Sequence, residues 1–306
     1  MPHVISPAPM RKKIVIIGAG PGGLEAARVA SERGHDVTVL EAANDAGGQV
    51  QLTAKSPRRR EMMSIIDWRM RQCEKNGVVF QFNTYAERDD VMALSPEVVI
   101  VATGGIPMMQ LFETKQDQPH IVSTWDIISG EVIPADHILI YDESGDHPGL
   151  QAAEIAAKSG SKVEIMTPDR TFAPEVMAMN LVPYMRALQD KDVTFTVARR
   201  LQDVSLDGNK LLAKIGTDYS GHVTEKRYDQ VVLNYGTQPL DELYFDLKNF
   251  SKNKGAVDYD ALIYGQMQTG LRNPEGHFDV YRIGDAVSSR NTHAAIYDAL
   301  RLLKDI

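Results

Sequence analysis

Residues 13 to 42 read KIVIIGAGPGGLEAARVASERGHDVTVLEA, and this stretch decides the fold. The run Ile14 to Ile17 predicts a buried strand that ends at Gly18, because an uninterrupted β-branched run is typical of parallel sheets. A helical stretch follows and is capped by Gly34, and a second strand is predicted from Val37 to Leu40. The order of strand, helix and strand indicates an α/β fold with a parallel sheet.

The glycines and the acid of this stretch have the spacing of a dinucleotide site. Gly18 allows a tight turn, Gly20 lets backbone amides approach a pyrophosphate, and Gly23 lets the helix pack closely on the strand. The anion would lie at a helix N-terminus, where unpaired N–H groups favour negative charge. Glu41 can accept hydrogen bonds from ribose hydroxyls and would repel a 2′-phosphate. Glycines at this spacing also occur in ordinary turns, but the register of all the elements predicts an ADP-binding site.

Composition excludes several other classes of protein. The chain has 306 residues and a net charge of −8, which argues against a nucleic-acid or anionic-membrane partner. No apolar run approaches the roughly 20 residues that span a bilayer, and MPHVISPAPMRKK has no apolar signal core, so we expect a cytoplasmic protein. The single cysteine, Cys73, excludes an internal disulfide, a dithiol redox pair and a cysteine-rich iron or zinc site supplied by this chain alone.

A second copy of the motif lies at residues 137 to 160, HILIYDESGDHPGLQAAEIAAKSG. From Pro148, PGLQAAEIAAKSGSKVEIMT parallels GGLEAARVASERGHDVTVLE from Gly22, so that Gly149 stands where the first copy has Gly23. Later, DQVVLNYGTQP echoes EVVIVATGGIP. The sequence therefore predicts a duplicated scaffold that extends to the closing strand of each copy.

The second copy lacks the residues that would bind a phosphate. The turn glycines of the first copy fall on Ser144 and Asp146, and the ribose acid falls on Thr167. Three carboxylates, those of Asp142, Glu143 and Asp146, would lie where a pyrophosphate binds, and like charges there cost on the order of kcal/mol each. NAD(P) is therefore disfavoured, and we expect a vacated or repurposed site.

Two alternatives for the second copy stay open at this point. A different ligand or an altered pose would use Thr167 and Arg170. A metal bound by His147 with the acids is the other, although a solvated turn histidine beside carboxylates is commoner. We predict no metal site and no catalytic acid, base or nucleophile in the chain.

The segment SPRRREMMSIIDWRMRQCEKNG predicts an amphipathic helix with Ser56 as N-cap and Pro57 at its first position. Three arginines in the first turn would oppose the helix dipole. An anion would offset this, either the FAD pyrophosphate, which Arg60 is best placed to reach, or an acidic patch on a partner. The alternative is a solvated basic face. Trp68 and Trp125 are packing residues or part of a docking surface.

Further motifs carry a resemblance to a known family. After Glu41 come a G-G-Q turn, then A-T-G-G and a late I-G-D-A, as in the glutathione-reductase-like flavoproteins with two dinucleotide-binding domains. More narrowly, the chain resembles the C-terminal half of the trimethylamine dehydrogenase and 2,4-dienoyl-CoA reductase group (NADH:flavin oxidoreductases), and particularly its members that demethylate N-methylated amino acids and betaines. HVISPAP, PRRREM, STWDI, GDHPG and IGDAVSSRNTHAAIYDALRL carry that narrower match, which spans nearly the whole chain.

The resemblance implies an FAD site and a partner. It also implies an N-terminal barrel with FMN and a four-cysteine iron–sulfur cluster, which this chain does not contain, so the barrel would be a separate subunit or domain. An electron acceptor protein is a further candidate partner. Together with Arg60, the residues expected to bind FAD are Gly18, Gly20, Pro21, Gly22, Gly23, Glu41, Ala42, Gly48, Gln49, Thr103, Gly104, Gly284, Asp285 and Ala286.

The predicted architecture is two tandem Rossmann-like domains, the second inserted into the first. Residues 1–112 and 272–306 would bind FAD, residues 113–240 would form the inserted NAD(P)-like domain, and residues 241–271 would connect them. The predicted function is the FAD-binding module or subunit of an N-demethylase or amine dehydrogenase type oxidoreductase, which relays electrons from the barrel. The alternatives are an ADP-binding scaffold subunit without redox turnover and an NAD(P)H-dependent flavin reductase.

Overall fold

The computed structural model describes residues 4–109, 120–269 and 272–306. The chain forms two compact units, one of Met1–Ile106 with Thr237–Ile306 and one of Pro107–Gly236. The first unit contains two 3₁₀ helices, at Pro57–Met62 and Gly284–Ala286. Its other elements are β1 (Lys13–Ile17), α1 (Pro21–Glu32), β2 (Asp36–Leu40), α2 (Gln49–Ala54), α3 (Met63–Lys75), β3 (Val79–Gln81), α4 (Arg88–Ala93), β4 (Val98–Val101), β5 (Gly105–Pro107), β14 (Thr237–Pro239), α8 (Glu242–Lys248), α9 (Tyr259–Tyr264), β15 (Asp279–Arg282) and α10 (Thr292–Leu303).

The first unit is built on a parallel sheet in the order β15-β4-β1-β2-β3. Side chains of β1 alternate between its faces, so Ile14 and Ile16 join the core under α1, α3 and α10, while Val15 and Ile17 join a second core with Val99. Burial on both faces explains why the strand is an unbroken apolar run. The α/β prediction is confirmed.

The second unit also has a parallel sheet, in the order β6-β13-β7-β8-β9. Four of its strands, β13-β7-β8-β9, repeat the order β4-β1-β2-β3, while the edge strand β6 comes from the start of the unit and β15 comes from the end of its unit. An antiparallel sheet β10-β11-β12 is packed on one side of it through a shared apolar core. The elements of this unit are β6 (Ile121–Ser123), α5 (Thr124–Ser129), β7 (His137–Asp142), α6 (His147–Lys158), β8 (Lys162–Met166), α7 (Ala178–Gln189), β9 (Thr194–Thr196), β10 (Arg200–Asp207), β11 (Lys210–Thr217), β12 (Ser220–Tyr228) and β13 (Gln230–Asn234).

The boundaries between the units differ from those drawn on the sequence. The chain passes from the first unit to the second at Ile106 and Pro107, not at 112, and returns at Thr237. Residues 241–271 were predicted as a connecting segment, but the structure places them within the first unit. Tyr244 and Leu247 are buried there in the same core as Val99, because α8 presents an apolar face to the sheet.

The basic segment also differs from its prediction. Ser56 and Pro57 do stand at the start of a helix, but the first turns, Pro57–Met62, are 3₁₀, and the α-helix begins at Met63. The Ser56 side chain forms no capping hydrogen bond, and its buried Oγ has no partner among the described residues. The arginines therefore precede the α-helix rather than occupying its first turn.

Candidate nucleotide-binding site

The turn that the sequence predicts to bind a phosphate lies at the carboxyl edge of the first sheet, between β1 and α1. We call it the phosphate turn. Gly18 has φ +102°, and a Cβ there would lie 2.4 Å from the carbonyl oxygen of Ala102, which follows β4. A Cβ on Gly23 would lie 1.9 Å from the carbonyl oxygen of Gly18. Both glycines are therefore required by close backbone packing, which brings the turn, the start of the helix and the end of β4 together.

Gly20 differs from these two glycines. Its φ is −72°, which any residue adopts, and no protein atom lies within 4 Å of the position of a Cβ. The space beside it is therefore open, and Pro21 begins α1 directly after it. The amides of Gly22 and Gly23 lie in the first turn of a 12-residue helix, where an α-helix offers no acceptor. This is the arrangement that a diphosphate needs.

Glu41 is fixed at the end of β2 by two backbone amides. Its Oε2 accepts from the N–H of Ala19 at 2.6 Å, and its Oε1 accepts from the N–H of Ala43 at 2.8 Å. The carboxylate is only partly buried, and each oxygen keeps a lone pair for another donor. Glu41 is thus oriented beside the phosphate turn, where ribose hydroxyls could donate to it, and Ala42 next to it is exposed.

The G-G-Q turn and the late G-D-A segment meet at the same edge. The N–H of Gly47 donates to the carbonyl of Ala19 at 2.9 Å, and a Cβ on Gly48 would lie 3.4 Å from Cα of Gly20. Gln49 donates through Nε2 to Oδ2 of Asp285 at 3.2 Å. The turn therefore links the phosphate end of the site to Asp285.

Asp285 is held in a partly desolvated position. Burial raises its pKa, although hydrogen bonds from the Arg290 N–H at 3.1 Å and from Gln49 oppose that shift. Gly284 before it has φ +61° and donates its N–H to Asp298, and Ala286 after it is buried. Asp285 can accept further hydrogen bonds from a ligand hydroxyl.

The remaining predicted residues separate into two cases. A Cβ on Gly104, with φ +75°, would lie 3.8 Å from the Gln49 Nε2 atom, so it belongs to the cluster. Thr103 is adjacent, but its hydroxyl donates to the carbonyl of Leu240. Arg60 is exposed in the 3₁₀ helix, and among the described residues no contact joins it to this cluster. Its contact with a flavin nucleotide stays a prediction.

Sequence reasoning did not single out some residues that build the site. Ala19 supplies the amide that orients Glu41, and its carbonyl binds Gly47. Asp298 on α10 holds Gly284, and it also pairs with Arg290. Backbone groups leave no sequence signal, and Asp298 lies more than ten residues beyond the motif that it supports.

The equivalent turn of the second unit is filled by its own side chains. Asp142, 3% exposed, accepts through Oδ1 from the amides of Ser144 at 3.1 Å and Gly145 at 3.0 Å, and from Nδ2 of Asn234 at 2.8 Å. A Cβ on Gly149 would lie 2.5 Å from Asp142 Oδ2. Burial raises the pKa of Asp142 to about 6, although the hydrogen bonds from these three donors act to lower it.

The other acids and the helix start of the second unit are also engaged. Asp146 accepts from the N–H of His147 at 2.7 Å, and Pro148 has no N–H to offer. Glu143 pairs with Arg200 at 2.5 Å. Thr167, 2% exposed, accepts from Asp169, as its hydroxyl fixes a local turn. Few donors remain in this turn for a phosphate.

Within residues 4–109, 120–269 and 272–306, no helix has the length and apolarity needed to cross a membrane. In the same ranges no group of three or more histidine, cysteine or carboxylate side chains could hold a metal ion.

Comparison with protein families and curated proteins places the site in context. Residues 16–81 match the model of an NAD(P)-binding Rossmann-like domain. The chain is 62% identical over 306 residues to a probable N-methylproline demethylase of Rhizobium meliloti (strain 1021) and 39% identical over 315 residues to an N,N-dimethylglycine/sarcosine dehydrogenase of Chromohalobacter salexigens. Each match covers 100% of this chain and 45% of the relative, so the chain spans less than half the length of the curated relatives it matches.

Solved structures agree with this placement. A 2-naphthoyl-CoA reductase in complex with 2-naphthoyl-CoA superposes with a TM-score of 0.79 and 27% identity, covering 99% of this chain and 41% of that one. A thioredoxin reductase of Lactococcus lactis superposes with a TM-score of 0.66 and 19% identity, covering 96% of this chain and 97% of that one. The second likeness is one of fold, and it confirms the prediction of a two-domain flavoprotein-type architecture.

Proposed function

We propose that this chain, a member of the trimethylamine dehydrogenase and 2,4-dienoyl-CoA reductase group, is the FAD-binding module of an N-demethylating oxidoreductase. Its relatives are named as a demethylase and a dehydrogenase of N-methylated compounds, which supports that reaction class. In this proposal the chain holds FAD and passes electrons, while substrate oxidation occurs at an FMN in a barrel that belongs to another domain or subunit. An iron–sulfur cluster of that barrel would connect the two flavins.

One observation carries the proposal, namely the meeting of three separate loops at one sheet edge. The open space at Gly20 and the first-turn amides of α1 suit a diphosphate, and Glu41 suits the adjoining ribose. Gln49 and Asp285 extend the polar edge beyond the phosphate turn, toward where a second nucleotide half would need partners. A bare ADP would leave that extension without a role. The residues therefore fit FAD.

The proposed FAD site consists of one cluster and its flanking residues. When bound, FAD supplies one- and two-electron redox chemistry, and the protein supplies binding, orientation and electrostatics. Thr103 and Gly104 would close the edge after β4, and Arg60 would approach from the 3₁₀ helix. The remaining residues of the proposed site are Gly18, Gly20, Pro21, Gly22, Gly23, Glu41, Ala42, Gly48, Gln49, Gly284, Asp285 and Ala286.

The second unit is proposed to bind no NAD(P). Its phosphate turn already satisfies the amides of Ser144 and Gly145 through Asp142. A pyrophosphate would have to displace the buried carboxylate of Asp142, and the negative charge of the pyrophosphate would face that of Asp146. The chain would then receive electrons from a protein partner rather than from a nicotinamide nucleotide.

The test is an absorption spectrum followed by extraction. The chain is equilibrated with FAD or with ADP, freed of unbound ligand, and recorded across the flavin band before the bound nucleotide is released by denaturation and quantified. We expect one FAD per chain and no rapid bleaching on addition of NADH. Retention of ADP or AMP with no affinity for FAD would replace the proposal with a nucleotide-binding scaffold. Rapid bleaching by NADH alone would instead indicate a flavin reductase.

A further inference from the structure

We infer that the outer surface of α3 and of the 3₁₀ helix before it docks an acidic face of the polypeptide that forms the rest of the longer relatives. We call this surface the basic docking face, and it consists of Arg58, Trp68, Arg69 and Arg71. The inference deepens the proposed function and rests on it, since it assigns the place where the barrel binds.

Trp68 is an exposed indole in a fixed orientation. Its side chain is 44% exposed, although tryptophan is usually among the more buried residues. The guanidinium of Arg28 lies 5.4 Å from the ring centroid and that of Arg69 lies 5.5 Å from it. Cation–π contacts at these distances restrain the orientation of the ring. The indole therefore loses little conformational entropy when a partner covers it.

The two arginines are themselves immobilised by a buried carboxylate. Glu25 on α1, 3% exposed, accepts from Arg28 at 2.7 Å and from Arg69 at 2.8 Å. Arg28 also pairs with Glu32 at 2.7 Å. A network that spans α1 and α3 thus positions one exposed ring. Preorganised tryptophan and arginine side chains are typical of the residues that dominate binding energy at protein interfaces.

The charge of the segment selects an acidic partner. Between residues 55 and 71 there are six basic and two acidic side chains, in a chain whose overall charge is −8. Arg58 and Arg71 are exposed, and so is Ser64, which lies between them in the sequence. A basic face of this kind on an acidic protein attracts an acidic surface and orients it during encounter.

The face is continuous with the proposed FAD site. Gln49, which binds Asp285, begins α2, and α2 leads through the 3₁₀ helix into α3 within the same unit. A partner held on this face would lie next to the polar edge where FAD is proposed to bind. The relatives have more than half of their length beyond the region that this chain matches, so a polypeptide of suitable size exists in the family.

A competing surface is present in the second unit. Met177, Met179 and Val182 are exposed at the start of α7, at 76%, 86% and 56%. Such an apolar patch also favours protein contacts. This apolar patch has no comparable excess of one charge, and it belongs to the second unit, whereas the proposed FAD site belongs to the first. It therefore serves as the internal control of the experiment.

The experiment uses the chain in place of its matched region in the Rhizobium meliloti relative, compared with the chain alone. Hydroxyl-radical footprinting with mass spectrometry measures the solvent access of Trp68 in both. We expect oxidation of Trp68 to fall at least several-fold in the chimera, while that of Tyr219, 69% exposed in the second unit, stays unchanged. Unchanged Trp68 oxidation in the folded chimera, or protection of Met179 alone, would overturn the inference.

A second measurement mixes the chain with the unmatched portion of that relative, produced as a separate polypeptide. Trp68→Ala and Arg71→Glu should each raise the Kd by about tenfold or more, as expected for interface hot spots. Lys191→Glu, an exposed charge reversal in the second unit, is the matched control and should leave the Kd unchanged. Binding that is lost with Met179→Lys but not with Trp68→Ala would contradict the docking face.

The FAD content of the same samples separates the two proposals. Chain that holds FAD but shows no protection of Trp68 would refute the docking face and leave the proposed function intact. Chain that shows protection but holds no FAD would refute the proposed function alone. Protection of Trp68 that appears in the isolated chain at high concentration, with a doubled mass in solution, would assign the face to self-association and overturn the inference.

Discussion

After β1, the turn at Gly18 to Gly20 leaves the first-turn amides of α1 facing open space, whereas after β7 the amides of Ser144 and Gly145 are bound by the buried carboxylate of Asp142. The two turns join equivalent elements, since the strand order β13-β7-β8-β9 repeats the order β4-β1-β2-β3. The fold therefore does not decide whether a nucleotide can bind. The amide of Ala19 is also bound, but by Glu41 from the neighbouring strand, which leaves the space at the turn open. In the second unit Asp142 lies buried within the turn, and Pro148 has no N–H where the first unit has Gly22. These two differences decide whether the turn can receive a phosphate.

The comparison also shows two ways of placing a carboxylate beside a nucleotide turn. Glu41 stands on the neighbouring strand, accepts from Ala19 and Ala43, and stays partly exposed. Asp142 stands on the strand that enters the turn and is almost completely buried. The first position leaves lone pairs for a ribose, and the second fills the space that a phosphate would need.

The largest expected effect concerns the equivalent glycines Gly23 and Gly149. Gly23→Ala places a Cβ 1.9 Å from a backbone carbonyl, and we expect it to lower the free energy of unfolding by at least about 3 kcal/mol. In Gly149→Ala the new Cβ would lie 2.5 Å from the Asp142 side chain, which can move, so the free energy of unfolding should fall by less than in Gly23→Ala. Urea denaturation of both variants measures the difference.

A double-mutant cycle tests the reason for that difference. In an Asp142→Ala background the obstructing carboxylate is absent, so Gly149→Ala should add little further destabilisation. The same background should not rescue Gly23→Ala, because the obstacle there is backbone. Equal and additive effects of the two glycine substitutions would break the comparison.

The next effect is the pH dependence that Asp142 confers. Its folded pKa, raised from 3.8 to about 6 by burial, means that the folded state binds the proton more tightly than the unfolded state. The associated stabilisation is complete below pH 4 and is lost as the pH rises through about 6. Relative to Asp142→Asn, the free energy of unfolding should fall by up to about 3 kcal/mol between pH 4 and pH 7.

Chemical denaturation of both proteins across this pH range gives the measurement. The Asp142→Asn variant lacks the titrating group and provides the reference curve. Two results would contradict the assignment of the raised pKa to Asp142. One is that the free energy of unfolding has the same pH dependence in both proteins. The other is that only the unsubstituted chain loses stability as the pH falls.

Gly20→Val tests whether the open space beside the first turn belongs to a ligand. The substitution fits the backbone, since φ is −72° and no protein atom lies within 4 Å of the Cβ. We expect a loss of FAD affinity of about 100-fold, because the side chain occupies the approach of the diphosphate. Since Gly20 is the N-cap of α1, where valine is unfavourable, the free energy of unfolding should fall by about 1 kcal/mol, which leaves the chain folded. Fluorescence titration with FAD measures it.

The matched control is Gly221→Val in β12, where a Cβ also meets no atom within 4 Å. Its FAD affinity should equal that of the unsubstituted chain. If Gly20→Val bound FAD as tightly as this control, the turn would not be the phosphate site.

The smallest effect is expected for Glu41→Gln. Removing the charge weakens hydrogen bonds from ribose hydroxyls while one oxygen can still accept from a backbone amide, so FAD affinity should fall by about tenfold. Asp142→Asn is the counterpart in the second unit and should leave FAD affinity unchanged. Equilibrium dialysis of both variants tests this, and the reverse order of effects would place the nucleotide in the second unit.

Local sequence predicted the first unit well because its requirements are local. The turn glycines, Pro21 and Glu41 all act within about thirty residues of each other, and their backbone demands are visible in residue type. The duplication was equally visible, since Gly149 occupies the place of Gly23. The reason why residue 149 is a glycine was not visible in the sequence, because the group that a Cβ would meet there is the side chain of Asp142, which turns back onto the helix.

Other features needed distant parts of the chain. Burial of Tyr244 and Leu247 in the core that contains Val99 depends on strands more than a hundred residues earlier in the chain. A segment that was predicted as a connection is therefore part of the first unit. The 3₁₀ start of the basic segment was likewise missed, since Ser56 and Pro57 are equally typical of an α-helix start.

By itself the sequence determined the α/β class, the repeated scaffold and the glycine and acid pattern of a dinucleotide turn, since each depends on short-range periodicity and on backbone freedom at single residues. Only the tertiary structure decided that Gln49 meets Asp285, that Glu25 fixes two arginines around Trp68, and that Asp142 satisfies its own turn. These contacts join residues brought together by sheet closure and helix packing, or depend on which way a buried side chain turns. Residue type alone does not fix either outcome.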